Sequence, residues 1–171
     1  MPLLESDLDP MRAALDEARR ALDEGNLPIG AVIVHEGVIV ARGRNGIDTG
    51  ENDTHHAELA AIQSIPQFLF RHKRQCTVYT TLEPCMMCMG AIVIAGIHRI
   101  VWGAADPVAG VADMLPSYTY LKRKQVDLVS GVLASESRAL LDEYWRRLGV
   151  DRDRAVQALL QDVAVLKRHT A

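Results

Sequence analysis

Cysteine is scarce in this 171-residue sequence, which contains only Cys76, Cys85 and Cys88. Three thiols cannot form the disulfide network that stabilises many small secreted domains. The first residues lack the basic stretch and following apolar run of a signal peptide, and no apolar segment approaches the roughly 20 residues that cross a bilayer. These absences exclude a disulfide scaffold and predict a reducing, cytoplasmic location without membrane insertion.

An excess of positive charge is also missing, because the formal net charge is −3 at pH 7. Such a chain has no general attraction to nucleic acid, although a local basic patch can still bind phosphate. With 49% hydrophobic and 24% charged residues, and no repeat or linker, the chain is expected to form one globular domain.

Helical and strand patterns alternate along the chain. A helix is predicted from Asp9 to Gly25 with Pro10 in its first turn, followed by a β-hairpin and a polar loop over residues 43–54. Further helices are predicted at residues 56–65, 84–95, 117–122 and 135–148, and strands at residues 31–34, 38–41, 77–81, 99–103 and 126–129. This order predicts an α/β fold, a three-layer α/β/α domain with a mixed five-stranded sheet over residues 1–149. Residues 150–171 are predicted to form an amphipathic helix that packs on the same domain or on a dimer partner.

The motif Pro84-Cys85-x-x-Cys88 is the first candidate for chemistry. Pro84 favours a helix start, so both thiols are expected at the positive end of a helix dipole and on one face. Metal binding, redox chemistry and inert buried thiols are all consistent with this spacing. Metal binding is the favoured interpretation.

His56, at the start of the preceding predicted helix, is the partner that favours metal. One imidazole and two thiolates make a three-ligand zinc site with a fourth position open for water, as in catalytic zinc sites. His55 is an alternative to His56. A structural zinc site would need a fourth protein ligand, for which the candidates are His55, Cys76, His35, His72 and His98.

Glu58 completes the pattern His-x-Glu followed by Pro-Cys-x-x-Cys, the signature of zinc deaminases in which Glu carries protons and does not bind the metal. A Glu in the first turn of a helix is also favourable to the dipole. In combination with His56, Cys85 and Cys88, the catalytic interpretation is preferred.

At these residues the sequence resembles the cytidine deaminase superfamily, in the branch of tRNA adenosine deaminases, fungal-type cytosine deaminases and guanine deaminases. The resemblance is carried by residues 27–34, 41–45, 56–58, 78–92 and 98–110, and more faintly by residues 132–147. It implies the α/β/α fold, one Zn2+ per subunit and a homodimer. It also implies that Asn45 hydrogen-bonds the base and that Asp106 lies in a loop near the substrate, although both residues are also typical of turns.

The expected activity is hydrolytic deamination of a nucleobase ring, with release of ammonia. Resemblance to tRNA adenosine deaminases is strongest at residues 80–91 and 103–110. The net charge of −3, the unusual DTHHAE stretch and the acidic residues after residue 150 favour instead a free base or nucleoside as the small-molecule substrate. A tRNA substrate is the alternative, and a non-enzymatic interaction module stapled by structural zinc is a third hypothesis.

Overall fold

A computed structural model describes residues 4–112, 117, 119–151, 153–158 and 160. Five strands form a sheet in the order β2-β1-β3-β4-β5, where β1 pairs antiparallel with β2 and β3, and the pairs β3/β4 and β4/β5 are parallel. The predicted mixed five-stranded sheet is confirmed. The strands are β1 Gly30–His35, β2 Val38–Arg44, β3 Cys76–Leu82, β4 Arg99–Ala104 and β5 Asp127–Val129.

Helices cover both faces of the sheet, which confirms the three-layer α/β/α architecture. Helices α1 and α7 pack on one face, and α3, α4 and α5 pack on the other. The helices are α1 Leu8–Asp23, α2 Ile47–Gly50, α3 Ala57–Ser64, α4 Pro66–His72, α5 Met86–Ala95, α6 Thr119–Lys124 and α7 Ala134–Arg147, with 3-10 turns at Glu5–Asp7 and Lys73–Gln75.

Strand β1 shows how one run of apolar residues serves two cores. Val32 and Val34 pack in the cluster beneath α1, whereas Ile33 packs in the cluster beneath α3 and α5. Successive side chains of a strand point to opposite faces, so a continuous apolar run is required where both faces are covered.

Several helix boundaries differ from the sequence expectation. Pro66 ends α3 as predicted, but it also begins α4, which the sequence pattern did not predict; proline is tolerated at the first helical position because no hydrogen bond is lost there. The last long helix begins at Ala134, and Ser135 donates its hydroxyl to the Glu136 carboxylate instead of capping the helix. Leu148 is 55% exposed rather than part of the core face, because α7 has ended before it.

A buried ion pair fastens the N-terminal segment to the sheet. Asp7, at the start of α1, receives two hydrogen bonds from Arg99 of β4, at 2.8 and 2.9 Å, and one from the Tyr79 hydroxyl at 2.9 Å. Burial favours the neutral carboxyl, but the Arg99 hydrogen bonds and those from Leu4 and Tyr79 outweigh it and lower the pKa of Asp7. Burial and the hydrogen bond to Asp7 raise the pKa of Tyr79 to about 12.

The described helices include none that is long and apolar enough to cross a membrane. Of the helix predicted after residue 150, residues 153–158 are helical, while residues 152, 159 and 161–171 lie outside the described part. Its packing on the same domain or on a partner therefore stays a prediction.

Candidate active site

The candidate site lies at the carboxyl ends of the parallel strands β3 and β4. Cys85 follows β3 closely and is the N-cap of α5, and the fully buried Cys88 comes one turn later. The helix begins at Met86 and not at Pro84 as predicted, because Cys85 has extended backbone angles. Both thiols still lie at the positive end of the helix dipole.

Helix α3 brings His56 to the same place because it packs directly against β2. A Cβ atom added at Gly43 would lie 2.2 Å from the carbonyl oxygen of Ala57 and 2.6 Å from the backbone nitrogen of Ala61. Only glycine permits so close an approach of a helix to a strand. His56 is the N-cap of α3, and Glu58 is in its first turn.

The spacing of the three donor atoms fits zinc. Nδ1 of His56 lies 3.7 Å from Sγ of Cys85 and 3.5 Å from Sγ of Cys88. Zinc bonds of about 2.0 Å to nitrogen and about 2.3 Å to sulfur, at a tetrahedral angle, put the donors about 3.5 Å apart. The three atoms lie within 4.8 Å of one another. In the described part of the chain, these residues are the one group of His, Cys, Asp or Glu side chains that could hold a metal ion.

The thiols and the imidazole are electrostatically coupled. The hydrogen bond with Cys88 lowers the pKa of Cys85 to about 3, and the same bond raises the pKa of Cys88. A hydrogen bond with Cys85 raises the pKa of His56. A thiolate and a neutral imidazole are the forms that bind a metal, so metal binding at these three residues releases protons.

The residues considered as a fourth protein ligand lie elsewhere. His55 is exposed, and its ring would come within 2.9 Å of a Cβ atom at Gly46. His35 and Cys76 pair in the sheet at the far end of β3, and the His35 ring lies 5.0 Å from that of His72. His98 precedes β4 and so lies at that far end too. Within the described residues the site offers three candidate ligands, the number typical of catalytic zinc.

Glu58 is buried next to these ligands. It is 4% exposed, and its Oε1 accepts a hydrogen bond of 3.2 Å from the hydroxyl of Thr80 on β3. Burial raises the pKa of Glu58. A carboxyl group whose pKa is moved toward neutrality can both take up and release a proton during a reaction.

Asn45 lies at the end of β2, beside the loop that leads to His56. It is 1% exposed, and its Oδ1 accepts a hydrogen bond of 3.2 Å from the Ile47 backbone. Its neighbour Gly46 donates a backbone hydrogen bond of 3.0 Å to the His55 carbonyl. The Nδ2 of Asn45 is a buried donor that finds no acceptor among the described residues. Buried donors are normally paired, so this amide is available to a partner outside the described residues.

Asp106 is held in a turn after β4. Its Oδ1 accepts hydrogen bonds from the backbone of Val108 at 2.9 Å and of Ala109 at 3.1 Å. The Glu83 carboxylate holds this loop beside Cys85, accepting from the backbone of Asp106 at 3.2 Å and of Ala112 at 3.0 Å. The structure thus brings Asp106 near the site through its loop, while its carboxylate is engaged in the turn.

Some residues that support the site were not predicted from the sequence. Thr80 and Glu83 read as ordinary members of a strand and its end, yet a polar residue in an apolar strand is a signal for a buried hydrogen bond. Asn26 is fully buried, and its Oδ1 accepts a hydrogen bond of 3.0 Å from the Thr49 backbone. It thereby anchors α2 next to Asn45; an asparagine directly after a helix end is common in turns, so its sequence position alone does not indicate this role.

The fold and the three-ligand site together define a zinc-dependent deaminase. The chain belongs to the cytidine and deoxycytidylate deaminase family, whose zinc-binding region matches residues 4–104. It is a hydrolytic enzyme that acts on carbon–nitrogen bonds, and zinc is its cofactor. The redox and inert-thiol alternatives are thereby set aside.

Several relatives of the chain within this family are tRNA-specific adenosine deaminases. The chain is 38% identical over 141 residues to a tRNA-specific adenosine deaminase of Bacillus subtilis, covering 81% of this chain and 88% of the relative. It is 34% identical to a tRNA-specific adenosine deaminase of Aquifex aeolicus, covering 81% and 93%. A solved structure from a study of A-to-I editing by tRNA:A34 deaminases superposes with a TM-score of 0.70 at 37% identity, covering 78% of this chain and 99% of that one.

The preference for a free base or nucleoside, and for a small molecule over tRNA as partner, is wrong. These relatives are named as deaminases of tRNA and match most of the chain. The preference depended on the DTHHAE stretch, on the acidic residues after residue 150 and on the net charge of −3, which sums over the whole chain. RNA binding depends on where cations are placed on the surface, and a net value does not report this.

Proposed function

We propose that this enzyme is a tRNA adenosine deaminase that converts adenosine to inosine at the wobble position of the anticodon. The observation that carries the proposal is the similarity to tRNA-specific adenosine deaminases over about four fifths of the chain. The buried Asn45 amide and the site of His56, Cys85 and Cys88 are consistent with recognition and hydrolysis of one extruded base.

Glu58 carries the protons in the proposed reaction. When bound, zinc supplies an activated water molecule as nucleophile. A Glu58 carboxylate oxygen takes a proton from this water and gives it to ring nitrogen N1 of adenine, next to the attacked carbon C6. Glu58 then moves the remaining hydroxyl proton at C6 to the exocyclic amino group, the bond between C6 and that nitrogen breaks, ammonia leaves and C6 becomes a carbonyl.

Asn45 and the loop that contains Asp106 are the proposed contacts to the substrate. The free Nδ2 donor of Asn45 is suited to an acceptor on the base or its ribose, while its Oδ1 is held by Ile47. Asp106 acts through the loop that it orders beside Cys85, since its Oδ1 caps that turn.

The test is ammonia release by the zinc-loaded protein, followed by identification of the deaminated product. The substrates are a tRNA anticodon stem-loop with adenosine at the wobble position, the same RNA with guanosine there, and free adenine, adenosine, cytosine and guanine. We expect inosine, detected by mass spectrometry of digested RNA, only from the first RNA.

Glu58→Ala is the control for the chemistry. It should retain zinc but lose turnover by about 10²- to 10⁴-fold, the usual contribution of a general acid–base residue. Turnover of a free base but of neither RNA would overturn the proposed substrate. Near-normal activity of Glu58→Ala would overturn the role of this residue.

We also propose that the enzyme is a homodimer that buries the exposed face of α5. This helix is apolar on all sides, and Met86 and Ile94 on one stripe are 67% and 74% exposed. Between them, a Cβ atom added at Gly90 would meet nothing within 4 Å, so a second helix can approach closely. A helix that is apolar all round is normally buried, and a second copy supplies a self-complementary surface.

Ile94→Glu tests this interface by sedimentation velocity. Placing a charge on the apolar face should shift the protein from dimer to monomer. Val38→Glu is the matched control, because Val38 is also an exposed apolar residue, at 63%, and lies at the hairpin away from α5. A monomeric wild type, or equal effects of both variants, would contradict the α5 interface.

A further inference from the structure

A basic cleft lies at the end of the sheet opposite the candidate zinc ligands. A cavity of about 760 Å³ opens where β3 and β4 begin. Four cations line it, in two segments far apart in the sequence: Lys73 and Arg74 directly before β3, and Arg123 and Lys124 at the end of α6. Because separate elements converge, the charge cluster is a product of the fold and not of one basic run.

The described part of the chain does not neutralise these cations. In other parts of the molecule arginines pair with buried carboxylates, as Arg44 does with Glu17 and Arg99 with Asp7. Among the described residues, no carboxylate forms a salt bridge with any of the four cations of the cleft. On a chain of net charge −3, this leaves a local positive field that attracts anions.

The fold also holds the two lysines in place. The stem of Lys73 lies on Gly96, where a Cβ atom would come within 2.5 Å of the Lys73 Cδ, and Gly96 has a φ of +87° that favours glycine. Nζ of Lys73 lies 5.0 Å from the centre of the Phe70 ring, and Nζ of Lys124 lies 5.1 Å from that of Tyr120. Cation–π contacts restrain the ammonium groups while leaving them open to solvent.

We infer that this cleft binds the phosphate backbone of the RNA substrate, away from the base that reacts. Two exposed arginines and two half-buried lysines in an open cleft suit a chain of phosphates better than one small anion, because both kinds of side chain bind phosphate and the four can contact several phosphates at once. Strand β3, from Cys76 to Leu82, separates the cleft from the zinc ligands by about 20 Å. An RNA that contacts both must extend beyond its reacting loop. The inference rests on the proposed function for the identity of the polyanion.

Arg74→Gln with Arg123→Gln tests the cleft in the zinc-loaded full-length protein, since both side chains are exposed. Binding of a full-length tRNA with wobble adenosine is measured by fluorescence anisotropy between about 50 and 200 mM salt. Loss of two phosphate contacts should weaken binding and reduce the slope of log K against log salt by about 2. Arg12→Gln with Arg138→Gln removes the same charge from two exposed arginines of α1 and α7, and should leave the slope unchanged.

Measuring turnover distinguishes failure of the proposed RNA-binding cleft from failure of the proposed function. In the cleft variant KM for tRNA should rise by about tenfold or more while kcat at saturation is kept, with an unchanged sedimentation coefficient. Inosine formation together with an unaltered salt slope in the cleft variant overturns the cleft and leaves the function intact. Cleft-dependent tRNA binding without any inosine supports the cleft and overturns the function. Cleft-dependent binding of poly-glutamate but not of tRNA overturns RNA as the ligand.

Discussion

Thr80 donates a hydrogen bond of 3.2 Å to Oε1 of Glu58, and thereby connects the centre of β3 to the first turn of α3. Both side chains are buried, Thr80 completely. A carboxylate that must take a proton from one atom and deliver it to another depends on its orientation, which a single hydroxyl contact on a rigid strand restrains.

Thr80→Val removes this hydroxyl and nearly preserves the shape of the side chain. We expect kcat to fall by about tenfold, the equivalent of one hydrogen bond, while zinc content is unchanged. Thr81→Val is the matched control: Thr81 is equally buried, but its hydroxyl accepts a hydrogen bond of 3.2 Å from Gly30. The control should lower stability without lowering kcat of the folded enzyme. Equal loss of kcat in both variants would contradict a specific role for Thr80.

Cys88→Ser should abolish stable zinc binding, because a neutral hydroxyl is a poor substitute for a thiolate ligand. Bound zinc is measured by inductively coupled plasma mass spectrometry after dialysis. The unliganded variant should also melt at a lower temperature than the zinc-loaded enzyme and, unlike the wild type, show no stabilisation by added zinc, because ligands that bind only the folded state stabilise it.

Cys76→Ser is the control for that experiment. Cys76 is also a buried thiol, and its Sγ contacts the His72 carbonyl at 3.4 Å, far from the metal ligands. We expect this variant to keep about one zinc per chain. Zinc loss in the Cys76 variant, or full zinc retention in the Cys88 variant, would refute the ligand assignment.

Asn45→Asp tests the unpaired amide of the candidate substrate site. The aspartate keeps an acceptor for the Ile47 backbone but replaces the Nδ2 donor with an oxygen. We expect kcat/KM for the stem-loop RNA to fall by about 10- to 100-fold, because a hydrogen bond to the substrate is lost and an acceptor faces an acceptor.

Asn52→Asp is the matched control, in the loop that leads from Asn45 to His56. The Asn52 Oδ1 accepts hydrogen bonds from Thr54, and aspartate can continue to do so. Kinetics of this variant should resemble those of the wild type. Wild-type kcat/KM in the Asn45 variant would exclude a contact between its amide and the substrate.

Asp7→Asn tests the buried ion pair with Arg99. Removing one charge leaves Arg99, whose side chain is 15% exposed, without its partner and should reduce the free energy of unfolding by about 3 kcal/mol at pH 7. The folded state lowers the pKa of Asp7, so the advantage of the wild type is fully present above the unfolded-state pKa of about 4. It is lost as the pH falls through the still lower pKa of the folded state.

The free energies of unfolding of the wild type and of Asp7→Asn should therefore converge as the pH falls. Urea unfolding of both proteins from pH 7 down to about pH 3 measures the difference between them. Asp9→Asn is the control, because the Asp9 carboxylate is 90% exposed and pairs with the exposed Arg12. Its effect should not exceed about 1 kcal/mol. A difference between wild type and Asp7→Asn that stays constant with pH would contradict the ion pair as its cause.

Much of the zinc site could be predicted from the chain because its chemistry resides in short motifs. Cys85 and Cys88 share a helix start, and His56 and Glu58 share another, so local geometry keeps the members of each pair close together wherever the helices lie. The alternation of apolar segments likewise predicted the three layers, since each strand must bury both of its faces.

Tertiary structure alone decided which residues complete the site. Thr80 meets Glu58, and Glu83 clamps the loop of Asp106, through contacts between segments that are 22 to 29 residues apart. No local pattern encodes such pairs, because they depend on how the helices and loops pack on the sheet. The basic cleft is the clearest case, as its cations come from two segments about 50 residues apart on a chain whose net charge is negative. Net charge is a sum over the sequence, whereas an electrostatic field depends on positions that only the folded chain defines.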